Sequence, residues 1–423
     1  MGKFFTILSK ILQDSILRRR ILFVLGALVV FRALAAIPIP SVDTGRLNAL
    51  FAGSDFLNLF NIFSGGGFSN LSIVMIGVSP YITASIIMQL LTIMSPRLKA
   101  LYQEEGEVGR KKFSQYSRML TVPLAVVQAI GFLALLRSNG VLAPMATMDY
   151  ITNIAIITGG ALLLMWIGEL ITEYGIGNGL SLIIFAGIVS ALPGGFAQLQ
   201  FIFDVSQIPL YLLFIAVTLI VIGAVVVITE AERPIPITYA KRVRGSKVYG
   251  GVSTYLPLRL NQAGVIPIIF ALSILLFPQM LFSFLQNVDS PLFQRIATSI
   301  LEILNNGWVY AIAYFLLVFV FTYFYTAVTF DPDSISTNLQ KGGAFIPGVR
   351  PGQPTSEYIA RILTRLTLFG ALFLGFVAVL PLIMRAGTGI TAFSIGGTAL
   401  LIVVSVVIDL IKKLEAQLSI REY

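Results

Sequence analysis

Charged residues along this chain gather in short clusters, and the stretches between the clusters are apolar and long. A transmembrane helix needs roughly 20 apolar residues. Charge-poor segments of that kind fall at 21–37, 75–95, 117–136, 151–168, 180–203, 207–229, 260–285, 307–328, 366–384 and 389–408. Ten spans predict that both termini lie on one side of a membrane.

The charge of the connecting segments predicts which side. Basic residues concentrate in cytoplasmic loops. With the N-terminus inside, the internal segments hold 24 of the 29 Lys and Arg residues. Only Arg46, Arg137, Arg295 and Arg385 fall outside, and Arg32 lies within the first span. Both termini are therefore expected in the cytoplasm.

One stretch resists a simple span. From Phe56 to Pro96 there are 41 consecutive uncharged residues. A single helix of that length would run about 60 Å, twice the hydrocarbon thickness. Gly65-Gly66-Gly67 lies inside it and should break any helix. The pattern predicts a short half-helix, FLNLFNIFS, a turn at the glycines, and a span from about Met75. Irregular backbone at membrane depth is tolerated only beside protein or a water-filled cavity. The segment therefore points to a cavity, or else to an apolar external loop packed on the surface.

The two sets of five spans echo each other. GVSPYI in span two matches GVIPII in span seven, with Gly77, Pro80 and Ile82 opposite Gly264, Pro267 and Ile269. Spans five and ten carry Gly179 and Ile184, and Gly397 and Ile402, each pair at the same separation. Five spans per half is an odd number, so the repeat is inverted. Inverted repeats place a functional path at the interface between the halves.

Ion-coupled transporters usually carry ionisable groups inside the bilayer. Here Glu169, Glu173, Glu230 and Asp409 sit at cytoplasmic span ends, and Arg32 is close enough to the outer face to snorkel. The centre offers Ile82, Ile86, Ile184, Ile269 and Ile402 instead. These either form an aliphatic constriction that gates by dewetting or simply pack helices together.

Composition narrows the chemistry. Apolar residues make up 57% of the 423 positions and charged residues 12%, against about 25% charge in soluble chains. There is no Cys and no His. Disulfides, Cys/His metal sites and Ser-His or Cys-His nucleophilic pairs are excluded. Neither a cofactor nor a catalytic residue is expected, and the chain reads as no enzyme. The N-terminal segment 1–20 sets Leu8, Ile11, Leu12 and Ile16 opposite Lys3, Lys10 and Arg18. That pattern fits an amphipathic helix on the cytoplasmic membrane surface or a basic flank of the first span.

Two internal loops are long, at about 230–258 and 329–362. In the first, ITYAKRV and KVYGGVSTY read as strands of a hairpin. Its tip carries Lys241, Arg242, Arg244 and Lys247. Such a tip can meet nucleic acid, acidic protein or anionic lipid, or can serve only as a topology signal. The second loop is punctuated by Gly and Pro around Arg350, which favours a fixed shape suited to partner docking.

Over essentially its whole length the chain resembles the SecY family, the pore subunits of the bacterial protein translocase. The likeness rests on FRALAAIPIP, FNIFSGGGFSNLSI, GVSPYITASIIMQLL, EGEVGRKKFSQYSR, MWIGELITEYGIGNGLSLIIFAGI, LPLRLNQAGVIPIIFA, GAFIPGVRPG and GGTALLIVV. It implies an all-α polytopic membrane protein: ten transmembrane helices in two inverted five-helix halves around a central pore, with a re-entrant plug half-helix. The halves would be 21–203 and 204–408, followed by a cytoplasmic tail, 409–423. The plug, at about 55–72, would include Phe56, Leu57, Phe60, Asn61, Phe63 and Gly65 to Gly67. The pore ring would comprise Ile82, Ile86, Leu180, Ile184, Ile269 and Ile402. A lateral gate is expected between spans two/three and seven/eight, with Gln89 and Asn261 lining it.

By the same resemblance the long loops dock the ATPase SecA and the ribosome, through the basic hairpin tip and Arg350. Ribosomal RNA would meet the basic residues by phosphate neutralisation. SecE and SecG would accompany the chain, and signal peptides, nascent chains and membrane lipid would be its other partners. Many members carry paired basic residues just after the hairpin glycine; here Ser246 precedes Lys247. The expected function is a passive, gated conduit in the bacterial inner membrane. It would carry unfolded secretory polypeptides across and release transmembrane segments sideways, with work supplied by motor or ribosome. A small-solute transporter is the alternative that inverted symmetry alone would allow.

Overall fold

Backbone N–H and C=O groups inside lipid must all be satisfied without water, which leaves the helix as the solution for an open chain. Each of the ten apolar segments contains a helix among the described residues of the computed structural model. The structure describes residues 14–39, 61, 64–68, 70–138, 140–142, 146–202, 208–239, 242–244, 247–249, 253–286, 290–388 and 396–419. Its helices are α1 (Ser15–Ala35), α2 (Ser79–Met94), α3 (Pro96–Gln103), α4 (Gly106–Ser138), α5 (Thr147–Tyr174), α6 (Gly179–Ile202) and α7 (Ile208–Glu230). They continue with α8 (Ile266–Leu285), α9 (Pro291–Asn305), α10 (Gly307–Thr329), α11 (Pro332–Lys341), α12 (Gln353–Thr388) and α13 (Gly396–Ser419). The ten expected spans correspond to α1, α2, α4, α5, α6, α7, α8, α10, α12 and α13.

Several helices outrun their apolar segments, because backbone hydrogen bonding does not stop where lipid does. Helix α4 begins at Gly106 and α12 at Gln353, well before the predicted spans at 117 and 366. The expected tail from 409 is helical as far as Ser419. There Leu410, Leu414 and Leu418 pack with Leu17 and Ile176. Of the predicted N-terminal surface helix, residues 1–13 lie outside the described residues. Asp14 caps α1 by accepting from the Ile16 and Leu17 amides, so Ser15 to Arg20 belong to the first span's own helix.

Packing sorts the helices into two groups that follow the chain. In the first, α1 lies on α5 and α6, α2 on α4 and α5, and α4 and α6 on α5. In the second, α7 lies on α13, α8 on α10 and α12, and α12 on α10 and α13. The groups meet along two junctions, α8 against α2 and α4, and α6 against α13. The sequence therefore closes into a ring of helices.

Between α1 and α2 the chain is irregular and yet buried. Ser64, Gly65, Gly67 and Phe68, and all of 71–78 except Ile73, are buried. Gly65 and Gly66 have φ of +72° and +78°, a region that costs L side chains strain, so the chain turns there as its glycines predict. Two glycines on neighbouring helices admit it. A Cβ on Gly187 of α6 would overlap the Gly65 backbone, and one on Gly160 of α5 would overlap the Ile73 carbonyl. Exchanged amides hold the far side: Ile39 N–H donates to the Leu71 carbonyl (2.8 Å) and Ile73 N–H to the Ile37 carbonyl (2.9 Å). Phe56, Leu57, Phe60 and Phe63 of the expected half-helix lie outside the described residues.

The two long loops, read separately from sequence, form one folded unit. Strands β1 (Glu232–Tyr239) and β4 (Ser253–Arg259) pair antiparallel, from Glu232 opposite Arg259 to Thr238 opposite Ser253. β5 (Ala344–Phe345), from the second loop, joins the other edge of β1. Beyond them β2 (Arg242–Arg244) and β3 (Lys247–Tyr249) pair as a hairpin. Ile235, Leu258, Ile346 and Ile359 form a small core beneath the sheet. Residues from both loops and from α12 thus share one apolar centre.

Candidate functional site

Ile82, Ile86, Ile184, Ile269 and Ile402 all fall in one buried apolar cluster, and Leu180 packs against it half-buried. Ile86, Ile184 and Ile402 are only 1% exposed. The carriers matter more than the burial. Ile82 is on α2, Ile184 on α6, Ile269 on α8 and Ile402 on α13, the helices that join the two halves at both junctions.

Local backbone chemistry puts them there. Gly77 and Gly264 both adopt positive φ, +65° and +62°, and both stand just before a helix begins. After each glycine comes a valine whose carbonyl accepts from the isoleucine four residues on, Ile82 N–H at 3.1 Å and Ile269 N–H at 3.3 Å. The same turn, the same proline and the same isoleucine thus recur in both halves. The echo seen in sequence is a shared local structure.

Polar groups line up on the other side of the problem. The helices of the junction between α2, α4 and α8 carry amides whose buried oxygens have no partner among the described residues: Gln89, Gln128 and Gln279. Asn261, just before α8, donates from Nδ2 to the Gly264 carbonyl at 3.2 Å, while its Oδ1 is also buried and unpartnered. Each such group costs about 1–3 kcal/mol against a satisfied one. Gln89 and Asn261 were expected along a gate; Gln128 and Gln279, polar residues within apolar spans, were legible by the same criterion and missed. Near the Met94 end of α2 a cavity of about 420 Å³ opens between Thr92, Ile93 and Lys99 and the Phe324–Pro332 and Ala360–Thr364 segments.

Arg32 departs from expectation. Its guanidinium does not simply snorkel: Nη1 donates to the Gly65 carbonyl at 2.8 Å. The charge in the first span therefore fastens the turn that opens the buried irregular segment. Charge-assisted bonds are shorter and stronger than neutral ones, and a left-handed glycine turn presents its carbonyl without a helical partner. Of the expected plug residues, Asn61 accepts at its carbonyl from Gly66 N–H (2.8 Å).

On the loop face, Arg350 is exposed at the end of a turn fixed by its neighbours. Gly348 and Gly352 have φ of +84° and +96°. Thr355 Oγ1 donates to the Arg350 carbonyl (2.8 Å) and Ser336 Oγ to the Gly352 carbonyl (2.6 Å). The backbone of Arg242, Arg244 and Lys247 lies in the β2–β3 hairpin; Lys241 lies outside the described residues.

Comparison with known proteins bears on the family and the fold. The family model described as SecY matches residues 72–411. A protein translocase subunit SecY of Mycobacterium tuberculosis is 42% identical over 96% of this chain and 96% of its own. One from Vibrio cholerae is 42% identical over 97% of this chain and 93% of its own. Among solved structures, "The structure of a protein conducting channel" superposes with a TM-score of 0.63 at 20% identity, covering 93% of this chain and 91% of that one. "Sec61 in the Canine ribosome-channel complex from the endoplasmic reticulum" gives 0.60 at 19% identity over the same shares. At these identities the structures speak for the fold.

Proposed function

The chain belongs to the SecY family, and we propose that its central isoleucine cluster is the constriction through which unfolded polypeptide passes. The protein is a membrane-embedded protein-translocation channel. What supports the placement is one observation: isoleucines from α2, α6, α8 and α13, four of the five helices that join the halves, belong to one continuous buried apolar cluster. Aliphatic walls shed water when nothing fills them, and they have no group with which to select a cargo by its chemistry. They deform around a chain because dispersion contacts have no preferred direction.

The junction of α2 and α4 with α8 is the proposed lateral gate. Gln89, Gln128 and Gln279 on these helices, and Asn261 just before α8, are polar groups that a permanently sealed apolar seam would not need. A signal peptide or nascent transmembrane helix entering there would separate the halves, displace the plug at about 55–72 and open a path to lipid. The loop unit, with the basic hairpin and Arg350, would dock SecA or the ribosome, which supply the work. SecE and SecG would brace the outer surfaces. The positive-inside count supports an inner-membrane orientation with both termini cytoplasmic.

Ile402→Ser tests the constriction. In vesicles containing the channel complex, the variant is expected to raise ion leak and to pass precursors with defective signal peptides. Unchanged leak together with altered uptake of a small solute would point to a transporter instead.

A further inference from the structure

Helix α9 has no part in the pore, the gate or the loop unit. It sits between α8 and α10, packs on both, and separates its residues by side. Ala297 is fully buried and Ile300, Leu301 and Leu304 half-buried, so one flank is held by the protein. The adjoining flank carries Leu292, Ile296 and Ile303, spaced as one helical stripe, and all three are exposed, Leu292 at 65% and Ile303 at 57%. Exposed Arg295 and Glu302 border the stripe. An uncovered apolar stripe of three turns on a helix whose other apolar flank is already packed calls for an apolar neighbour.

The neighbour is indicated by where α9 ends. A single extended residue, Asn306, separates it from α10, and Asn306 Oδ1 caps α10 by accepting from the Trp308 and Val309 amides (3.1 and 3.4 Å). The chain therefore turns from α9 into a membrane span within one residue. Trp308 is 65% exposed in the first turn of that span, and Ile312, Leu316 and Val320 continue its exposed row. Exposed Trp at a span end marks the headgroup level, and the row beneath it is apolar enough to face acyl chains. The helix that carries the exposed stripe packs on α10 and leads directly into that row.

We propose that α9 is an interfacial helix embedded in the outer leaflet, with Leu292, Ile296 and Ile303 among phospholipid acyl chains and Arg295 at the phosphate level. Its energetics are those of any amphipathic surface helix: buried apolar area plus attraction between a cation and phosphate. Because α9 connects α8 to α10, lipid contact there would hold the external ends of these two spans at a fixed depth. Which leaflet it occupies rests on the orientation proposed above.

The absence of native Cys makes the test direct. Ile296→Cys, Ile303→Cys and Thr298→Cys variants of the full-length chain, assembled with its partner subunits, would each carry a nitroxide in phosphatidylethanolamine–phosphatidylglycerol vesicles. Relaxation by oxygen, which concentrates in lipid, is compared with relaxation by a water-soluble nickel chelate. The expected result is oxygen-dominated relaxation at 296 and 303 and nickel-dominated relaxation at 298. Nickel-dominated relaxation at all three would put the stripe in water and overturn the proposal. Labels at 296 and 303 shielded from both reagents would place a protein on the stripe, with the same consequence. Orientation is read separately, by labelling Thr298→Cys in spheroplasts with a membrane-impermeant maleimide. Labelling only after lysis would overturn the outer-leaflet assignment, whereas the relaxation contrast tests the lipid contact alone.

Discussion

The central cluster and the loop unit are both built where distant parts of the chain meet around apolar side chains, yet the loop unit adds directed backbone bonds between its parts. The cluster joins α2, α6, α8 and α13 through aliphatic side chains that make no directional bond. The loop unit joins 232–259 to 332–356 through a shared strand edge, and hydroxyl-to-carbonyl bonds such as Ser336 to Gly352 and Thr355 to Arg350 fix the shape of the second segment. Contacts without direction can slide and re-form as a chain passes, while directed ones keep a shape. A gate needs the first property and a docking platform the second.

That contrast can be broken most forcefully at the centre by removing clearance. Gly187→Leu would drive a side chain into the Gly65 turn. Overpacking typically costs 1–3 kcal/mol and occasionally more, and contact with backbone puts this variant at about 3 kcal/mol or above. Thermal unfolding of the purified complex should show a large loss, accompanied by ion leak in vesicles. Next comes the charged bond from Arg32 to the Gly65 turn. Arg32→Ala leaves the Gly65 carbonyl without its donor, a loss of about 2 kcal/mol for a bond to a charged group. Hydrogen exchange at 64–68 should accelerate, and leak should rise without any change in the isoleucine cluster.

Smaller effects are expected in the loop unit, where each bond is one of several. Ser336→Ala should cost about 1 kcal/mol. Faster exchange should stay confined to residues 344–356, and channel closure should be unaffected. The smallest effect belongs to the Arg118–Glu169 pair. Its Nε to Oε1 separation is 2.6 Å, but the arginine side chain is 47% exposed. Solvent-exposed pairs contribute below about 1 kcal/mol, so Arg118→Gln should leave stability nearly unchanged, with the residual difference lost at high salt.

The helical spans were legible because lipid imposes one strong filter, apolar length, that acts on local sequence. The break at Gly65 to Gly67 was legible because three glycines in an uncharged run have few other uses. The repeated glycine, proline and isoleucine placed Ile82 and Ile269, because a local turn governs each. What stayed hidden depends on distant partners. Nothing in ITYAKRV names Phe345 as the neighbour of Thr238, since a strand edge accepts many sequences. Arg32 looked free to snorkel because its acceptor is a backbone carbonyl, which carries no residue signature. Gly160 and Gly187 read as ordinary glycines of apolar helices until the backbones that press on them were in place.

The most direct test of the constriction uses Ile82→Cys, Ile184→Cys, Ile269→Cys and Ile402→Cys, one at a time. A secretory precursor bearing a single cysteine is stalled partway through the channel in membrane vesicles, and disulfide formation is read at each position. The account predicts cross-links from all four positions to the same stretch of the stalled chain. A precursor demonstrably stalled in the complex that cross-links to none of them would contradict it.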